Sequence, residues 1–196
     1  TIITRAQLEQ FLPKLPAHVL LVLDEAYAEY VEAKNYPAGI NYLGTPANIV
    51  ILRTFSKLYG LAGLRIGYGI ARPDIISQLN TVRLPFNCNR IAQVSAAAAI
   101  SDTAFVKRSL ANNRAGKKYL YRELDRLGLE YLKTEANFIT IFLAVAGAAL
   151  AARMQEAGVI VRPLASFGLT RAIRVTIGTP AENRRFIKVL KKALGC

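Results

Sequence analysis

The sequence predicts an α/β protein with a parallel-rich sheet and helices, followed by a smaller α/β domain. Two short runs of apolar residues, 19–23 and 49–52, are typical of parallel strands that are covered on both faces. Longer segments that begin with helix-capping residues follow these strands along the chain. After residue 128 the segments become shorter and strands alternate with helices, which indicates the second domain.

Each element of the first part depends on a local signal. Thr4 and Asp102 are N-cap residues, and Pro73 occupies the first position of a helix, where its missing N–H has no partner to lose. Residues 35–48 are rich in Asn, Pro and Gly and predict a loop. The predicted elements are helices over 4–15, 73–82, 92–100 and 103–127, and strands over 19–23, 49–52 and 64–71.

The second part carries signals of the same kind. Thr179 caps the last helix, Pro180 is its first residue, and Glu182 lies in its first turn. The predicted elements are strands over 129–132, 138–143, 159–162 and 172–177, and helices over 148–157 and 181–194. We place a domain boundary inside the long helix, which divides the chain into residues 1–109 and 110–196.

The composition excludes several classes of protein. With 53% hydrophobic and 20% charged residues, the chain can bury a core and is not disordered. The net charge of +13 invites a nucleic-acid partner, but the basic residues are spread over helix faces and no zinc-finger spacing occurs. The uncharged run 137–152 is too short to span a bilayer. We therefore expect neither a nucleic-acid partner nor a membrane segment.

Cysteine and histidine are scarce in this chain. Cys88 and Cys196 make no disulfide framework, which suits a reducing compartment. The first residues lack the basic and apolar regions of a signal peptide. His18 is the only histidine and is interpreted as structural, and without a His–Cys cluster we expect no metal site.

The residues that indicate chemistry lie at the ends of predicted strands. The first apolar run stops at Asp24, with Tyr27 shortly after it, and Lys57 and Arg65 follow the second run. Open α/β sheets bind ligands at the carboxyl ends of their strands. Together these side chains form the set that holds pyridoxal phosphate (PLP): a Schiff-base lysine, a partner for the pyridinium nitrogen and a phosphate clamp.

Several stretches around these residues resemble a known family. The pattern S-K-x-x-x-L-x-G-x-R at Lys57, with D-E-A-Y upstream, is specific to the fold-type I aminotransferases. Within them the chain resembles the histidinol-phosphate aminotransferases, chiefly in the block 161–185, and the resemblance runs from residue 1 to about residue 194. The matching stretches are LVLDEAYAEY (21–30), ILRTFSKLYGLAGLRIGYGIA (51–71), LPFNCNRIAQ (84–93), EANF (135–138) and GVIVRPLASFGLTRAIRVTIGTPAENRRF (158–186).

The resemblance implies roles for the residues at the strand ends. Lys57 would be the Schiff-base lysine and would move a proton between the substrate carbon and the cofactor carbon. Asp24 would bind the protonated ring nitrogen of PLP, and Tyr27 would donate a hydrogen bond to the ring oxygen. Because side chains alternate along a strand, we expect Glu25 to point away from Asp24, so that only one carboxylate faces the ring.

The resemblance also implies roles for cations and hydroxyls. Arg65 matches the arginine that binds the cofactor phosphate, with hydroxyls from Thr54 and Ser56, and a guanidinium suits this role because it binds two phosphate oxygens at once. Arg174 matches the arginine that binds the anionic group of the substrate, and Arg162 matches a second cation near the substrate. Alternation is expected to place Arg174 on the side opposite its apolar neighbours.

The resemblance implies PLP-dependent transamination between a small amino donor, L-histidinol phosphate, and a 2-oxo acid acceptor, 2-oxoglutarate, in a cytoplasmic homodimer. Family members carry a long segment before the position of Asp24. The chain would therefore be a fragment, with 1–109 as the C-terminal portion of the PLP-binding large domain and 110–196 as the small domain. Two alternatives stay open: another aminotransferase of this fold that uses an aromatic or small amino acid, and a non-catalytic PLP-fold module such as the sensor half of a regulator.

Overall fold

The computed structural model describes residues 2–195, so Cys196 lies outside the described part of the chain. These residues form two compact units, which we call the first unit (2–107) and the second unit (108–195). The division between the units falls inside one long helix, Thr103–Arg126. In the first unit, Cys88 is a free thiol.

The first unit contains a three-stranded sheet. Its helices and strands are α1 (Arg5–Phe11), β1 (Leu20–Asp24), β2 (Asn48–Thr54), β3 (Gly67–Ala71), α2 (Pro73–Val82), α3 (Arg90–Ser101) and the start of α4 (Thr103–Arg126). Turns of 3₁₀ helix lie at Leu12–Lys14, Ala28–Tyr30, Gly39–Tyr42 and Ala62–Leu64. The strand order is β1-β2-β3, with β1 and β2 parallel, as predicted, and β3 antiparallel to β2.

The two faces of this sheet are packed differently. On one face Ile49 and Ile51 of β2 belong to a buried cluster that includes residues of α1 and of the turn Gly39–Tyr42. The other face, which we call the open face, carries Leu20, Val22 and Leu52, and these side chains are 43%, 51% and 41% exposed. The prediction that β1 is covered on both faces is therefore wrong for the described residues, because the helix and the turn pack against the opposite face.

The second unit contains a four-stranded antiparallel sheet. The elements that follow α4 are β4 (Tyr131–Leu132), β5 (Phe138–Phe142), α5 (Gly147–Glu156), β6 (Arg162–Leu164), β7 (Leu169–Thr176) and α6 (Pro180–Leu194). The strand order is β4-β5-β7-β6. The core of this unit is formed by one face of the sheet with α4, α5 and α6, and Leu120, Ile139, Ile173 and Phe186 are each at most 3% exposed.

Two strands begin three residues later than the sequence predicts. β6 begins at Arg162 rather than at Val159, because the N–H of Val159 donates a hydrogen bond back to the last turn of α5, at 2.9 Å. β3 begins at Gly67 rather than at Leu64, because Leu64 ends a 3₁₀ turn. In both places a local turn satisfies backbone groups that the predicted strand would have used.

The predicted N-caps are confirmed. Thr4 and Thr179 each form a capping box with the residue three positions later, and Asp102 Oδ1 accepts a hydrogen bond from the N–H of Phe105 at 2.8 Å. At the start of α6, hydrogen bonds from the backbone and side chain of Thr179 lower the pKa of the Glu182 carboxyl. Each cap satisfies N–H groups that the first turn of a helix leaves without partners.

The close approach of α5 to β7 predicts a cost for any side chain at Gly147. A Cβ atom at this position would overlap the carbonyl oxygen of Ala172. We expect Gly147→Ala to lower the free energy of unfolding by about 1–3 kcal/mol, as overpacking does, although alanine is the better helix former. Urea unfolding measures this change. Gly44→Ala is the matched control, because no atom lies within 4 Å of its added Cβ, and equal effects of the two substitutions would contradict the prediction.

Candidate functional site

The carboxyl ends of β1 and β2 meet at one edge of the first sheet, because the two strands are parallel. Asp24 is the last residue of β1 and Thr54 is the last residue of β2. Asp24 is paired in register with Leu52, so strand alternation puts both Asp24 and Thr54 on the open face. A carboxylate and a hydroxyl therefore lie on the same side of the same sheet edge.

Lys57 lies in the turn that follows β2. Phe55 and Leu58 on either side of it are 6% and 2% exposed and anchor the turn, whereas Lys57 itself is exposed. The Nζ atom of Lys57 lies 5.4 Å from the centroid of the Tyr27 ring. Tyr27 comes shortly after the end of β1, so an amine and a phenol from two different strand ends lie next to each other.

Arg65 has its backbone in the left-handed region, with φ at 54°. This conformation costs a residue with a side chain about 1–2 kcal/mol, and such strained residues concentrate at functional sites. The Nη1 of Arg65 donates hydrogen bonds to the carbonyl oxygen of Ala62 at 2.9 Å and to the hydroxyl of Ser56 at 3.5 Å. Thr54 Oγ1 accepts a hydrogen bond from the N–H of Ser56 at 3.0 Å. Arg65, Ser56 and Thr54 thus form a cluster of one cation and two hydroxyls.

Glu25 follows Asp24 along the chain but is only 3% exposed. Its Oε1 accepts a hydrogen bond from the N–H of Gly39 at 2.6 Å, and its Oε2 accepts two from Nε and Nη2 of Arg53, at 3.0 and 2.8 Å. The Glu25 side chain therefore lies on the packed face of the sheet while that of Asp24 is exposed, as the alternation of side chains along a strand predicts. Sequence reasoning missed Arg53, although its place next to Thr54 mirrors that of Glu25 next to Asp24.

In the second unit, Arg162 of β6 and Arg174 of β7 lie directly opposite each other in the antiparallel pairing. Arg174 is half-buried, with its guanidinium carbon 4.7 Å from the ring centroid of Phe138, and Arg162 is exposed, 5.2 Å from that of Phe167. The neighbours of Arg174 in β7 are buried on the other side of the sheet, as predicted. Like charges opposite each other destabilise a sheet, and a bound anion would offset this repulsion.

A groove of about 840 Å³ in the second unit is lined by residues of β6, β7 and α6. Arg162, Arg174 and Arg185 contribute to its lining, and Arg185 was not singled out from the sequence. The carboxylate in the groove, that of Glu182, accepts hydrogen bonds from the N–H and the hydroxyl of Thr179. The excess of guanidinium groups favours a small anionic ligand.

Among residues 2–195, no group of three His, Cys, Asp or Glu side chains is arranged to hold a metal ion. Over the same range, no helix has the length and apolar character needed to cross a membrane.

The sequence matches the family model described as aminotransferase class I and II over residues 1–190. The chain belongs to this family. Among curated relatives, the histidinol-phosphate aminotransferase of Moorella thermoacetica is 49% identical over 195 residues, which cover 99% of this chain and 50% of the relative. Histidinol-phosphate aminotransferase 1 of Cupriavidus pinatubonensis is 46% identical, and the match covers 99% of this chain and 52% of the relative. The chain therefore spans about half the length of the curated relatives it matches.

Solved structures of the aminotransferase family confirm the predicted fold class. The histidinol-phosphate aminotransferase of Sinorhizobium meliloti, determined in complex with pyridoxal-5'-phosphate, has a TM-score of 0.89 and 30% identity, and the match covers 100% of this chain and 54% of that one. The histidinol-phosphate aminotransferase of Clostridium acetobutylicum has a TM-score of 0.90, with 99% of this chain and 60% of that chain covered. At 22% identity the second similarity shows the fold alone.

In this chain of the aminotransferase family, the predicted site residues fall into two groups. The first unit holds the residues predicted to bind a cofactor, and the structure brings them to one sheet edge: Asp24, Tyr27, Thr54, Ser56, Lys57 and Arg65. The second unit holds Arg162 and Arg174, side by side on adjacent strands. Glu25 and Arg53 lie next to the first group because β1 and β2 are paired, and Arg185 of α6 lines the same groove as Arg162 and Arg174.

Proposed function

We propose that this chain is part of a PLP-dependent aminotransferase that transfers the amino group of L-histidinol phosphate to 2-oxoglutarate. The observation that carries the proposal is the meeting of an amine, a phenol, a carboxylate and one guanidinium with two hydroxyls at the carboxyl edge of β1 and β2. The names of the relatives in Moorella and Cupriavidus support the choice of substrate. The PLP in the Sinorhizobium structure supports the choice of cofactor.

The chemistry of the first-unit residues fits PLP. Asp24 is exposed at the sheet edge, and its Oδ1 accepts a hydrogen bond from the N–H of Ala26 at 3.1 Å. This carboxylate would hold the protonated ring nitrogen. The cluster of Arg65, Ser56 and Thr54 offers a cation and hydroxyl groups for a phosphate. PLP, when bound, draws electrons away from the substrate carbon and so stabilises the charge left by the departing proton.

The amine of Lys57 is the group that binds the cofactor covalently and moves the proton. Its Nζ is exposed and lies beside the Tyr27 ring, so it can reach a ligand above the open face. In the neutral form this nitrogen would bond to the carbonyl carbon of the cofactor, with the carbonyl oxygen leaving as water, and it would later accept and return a proton as a general base and acid. Tyr27, whose ring lies beside Lys57, would donate its hydroxyl hydrogen to the ring oxygen of the same ligand.

Arg162 and Arg174 bind the phosphate of the amino donor in this proposal. A phosphate monoester carries nearly two negative charges at neutral pH, and two guanidinium groups match this charge better than one. Their opposite positions on β6 and β7 set both cations on one side of the sheet. An aromatic or small amino acid as donor would offer these two cations only one carboxylate. We therefore favour histidinol phosphate over the amino donors of other aminotransferases.

The protein acts as a homodimer in the cytoplasm in this proposal. Support for an interface comes from the segment before and within α3, where Leu84, Phe86 and Ile91 are 76%, 99% and 71% exposed. Phe86 also has a positive φ of 53°, a strained conformation for a residue with a bulky side chain. The free thiol of Cys88 fits a reducing compartment. Sedimentation of the complete protein tests the dimer.

Substrate competition tests the proposed activity. The full-length protein, by which we mean the complete product of the gene that encodes this chain, is expected to prefer L-histidinol phosphate over phenylalanine, tyrosine and alanine in kcat/KM with 2-oxoglutarate as acceptor. A higher kcat/KM for any of these amino acids would assign the protein to another aminotransferase activity. PLP binding without amino transfer to any acceptor would favour a non-catalytic module.

The 196-residue chain by itself is expected to bind PLP weakly or not at all. Asp24, Lys57 and Arg65 are all exposed in the first unit, so the described residues leave much of a bound cofactor in water. The family resemblance assigns the stacking aromatic ring and the backbone amides for the phosphate to residues outside this chain. Absorbance titration with PLP, with Lys57→Ala as the control chain, measures the affinity. Tight, stoichiometric binding that the control loses would contradict this prediction.

A further inference from the structure

Glu25 and Arg53 form a two-pronged ion pair in the first unit. The Glu25 side chain is 3% exposed and that of Arg53 is 25% exposed, and the shortest distance between them is 2.8 Å. The second carboxylate oxygen of Glu25 accepts the N–H of Gly39 at 2.6 Å. Both oxygens of a buried carboxylate are thus satisfied, which is the condition under which burying an ion pair is tolerated.

The pair lies where β1 and β2 leave the sheet. The N–H of Glu25 donates to the carbonyl oxygen of Leu52 at 2.9 Å and extends the pairing of the two strands by one bond. Along the chain, Glu25 is next to Asp24 and Arg53 is next to Thr54. Since neighbouring side chains in a strand point to opposite faces, the ion pair holds the two strand ends together from the packed face while Asp24 and Thr54 occupy the open face.

The groups around the pair are partly buried. Burial and the charge of Glu25 raise the pKa of the Tyr36 hydroxyl to about 12. Burial also raises the pKa of Glu29, against the opposing charge of Arg53. Tyr68 is paired in register with Arg53 on β3. The guanidinium of Arg53 therefore has its closest ion pair with Glu25, and Tyr68 and Glu29 lie in the same electrostatic surroundings.

We infer that Glu25 and Arg53 are positioning residues, whose ion pair keeps Asp24 and Thr54 at the spacing needed to hold the ring nitrogen and the phosphate of PLP. This inference rests on the proposed function. A purely structural pair would stabilise the first unit without affecting the cofactor. If the pair positions Asp24 and Thr54, its substitution should weaken cofactor binding more than the loss in free energy of unfolding explains.

The chain offers a matched control for this distinction. Arg72 Nη2 donates to Asn48 Oδ1 at 2.7 Å and pairs with Asp74 at 3.3 Å. Asn48 is the first residue of β2, so this arginine is held at the opposite end of the same strand from Arg53. The strand rise of about 3.3 Å per residue puts roughly 20 Å between the two ends. Arg53→Lys and Arg72→Lys therefore make the same chemical change at the two ends of β2, near to and far from the site.

The experiment compares both variants in the full-length protein loaded with PLP. We expect Arg53→Lys to speed the dissociation of PLP at least tenfold and to shift the midpoint of the pH titration of the bound-cofactor absorbance. For Arg72→Lys we expect a PLP dissociation rate within twofold of that of the unsubstituted protein. The midpoint of its pH titration should be unchanged. Equal PLP dissociation rates for the two variants, or a change in Arg53→Lys confined to the urea midpoint, would overturn the inference.

A second set of variants keeps the test decisive if Arg53→Lys does not fold. Glu25→Gln retains the shape and the bond to Gly39 and removes the charge, and Glu25→Gln combined with Arg53→Gln removes both charges. Each single substitution is expected to increase the PLP dissociation rate by some factor. In the double variant the increase should be smaller than the product of the two factors, because the two residues act as one unit. Additive effects on PLP dissociation would overturn the inference.

The outcomes also separate this inference from the proposed function. If the unsubstituted full-length protein carries no PLP on Lys57, the proposed function fails. If it carries PLP on Lys57 and Arg53→Lys behaves like Arg72→Lys, the proposed function stands and only the role of the ion pair is wrong.

Discussion

Replacing Lys57 with alanine is expected to abolish amino transfer by the full-length protein while leaving its fold in place. Lys57 is exposed, and the turn that carries it is anchored by Phe55 and Leu58, so the substitution removes little packing. Loss of a general acid–base group alone lowers turnover by about 10²–10⁴-fold, and loss of the covalent attachment adds to this effect. Steady-state turnover and urea unfolding, measured on the same preparation, test both halves of the prediction.

Chemical labelling locates the lysine directly. Borohydride reduction of the PLP-loaded protein, followed by digestion and mass mapping, is expected to place the pyridoxyl group on Lys57. Lys34→Ala is the matched control, because Lys34 is also an exposed lysine of the first unit and lies outside the proposed site. A pyridoxyl group on another lysine, or full turnover by Lys57→Ala, would remove Lys57 from its proposed role.

Arg174→Ala is expected to raise the KM for histidinol phosphate strongly. Arg174 is half-buried over the Phe138 ring, so a phosphate bound there would lose a desolvated partner. Removing one member of such a charge pair costs about 2–5 kcal/mol. Arg162→Ala should cost less, because Arg162 is exposed and its charge is better screened by water. Initial-rate kinetics of the full-length variants with histidinol phosphate measure both effects.

Two controls show whether the effect belongs to the phosphate. Arg153→Ala removes the same charge from an exposed position on α5 and is expected to leave KM near its original value. Unphosphorylated histidinol should be a poor donor for the unsubstituted protein, and Arg174→Ala should affect it little. If histidinol and its phosphate turned over equally well, the phosphate-binding role would be wrong and another amino donor would replace histidinol phosphate.

The local signals of this sequence were strong enough to locate most elements. The helix Pro73–Val82 has the predicted ends because proline at the first position and the following composition are both local. The three N-caps were predictable for the same reason, since a capping side chain bonds to backbone two or three residues away. The motif that contains Lys57 and Arg65 with small residues between them could be recognised for the same reason, because it spans only a few residues.

The structural predictions were wrong where one local sequence pattern is compatible with two arrangements. An apolar run such as 19–23 has the same composition whether one or both faces are covered, and Leu20 and Val22 are in fact exposed in the described residues. Residues 159–161 have strand-like side chains, but the backbone bonds that end α5 use Val159 first. In each case the side chains permitted both arrangements, and backbone pairing with another segment decided between them.

The order of helices and strands, the family and the chemistry at the strand ends can be predicted from the amino-acid sequence, because they depend on neighbours within a few positions. Contacts between side chains that are far apart along the chain depend instead on how the strands pair. Glu25 and Arg53 are 28 residues apart and pair because β1 and β2 are in register. Arg162 and Arg174 face each other because β6 and β7 are paired at those positions. Strand register is set by the packing of whole faces rather than by any local pattern, so these contacts appear only once the sheet has formed.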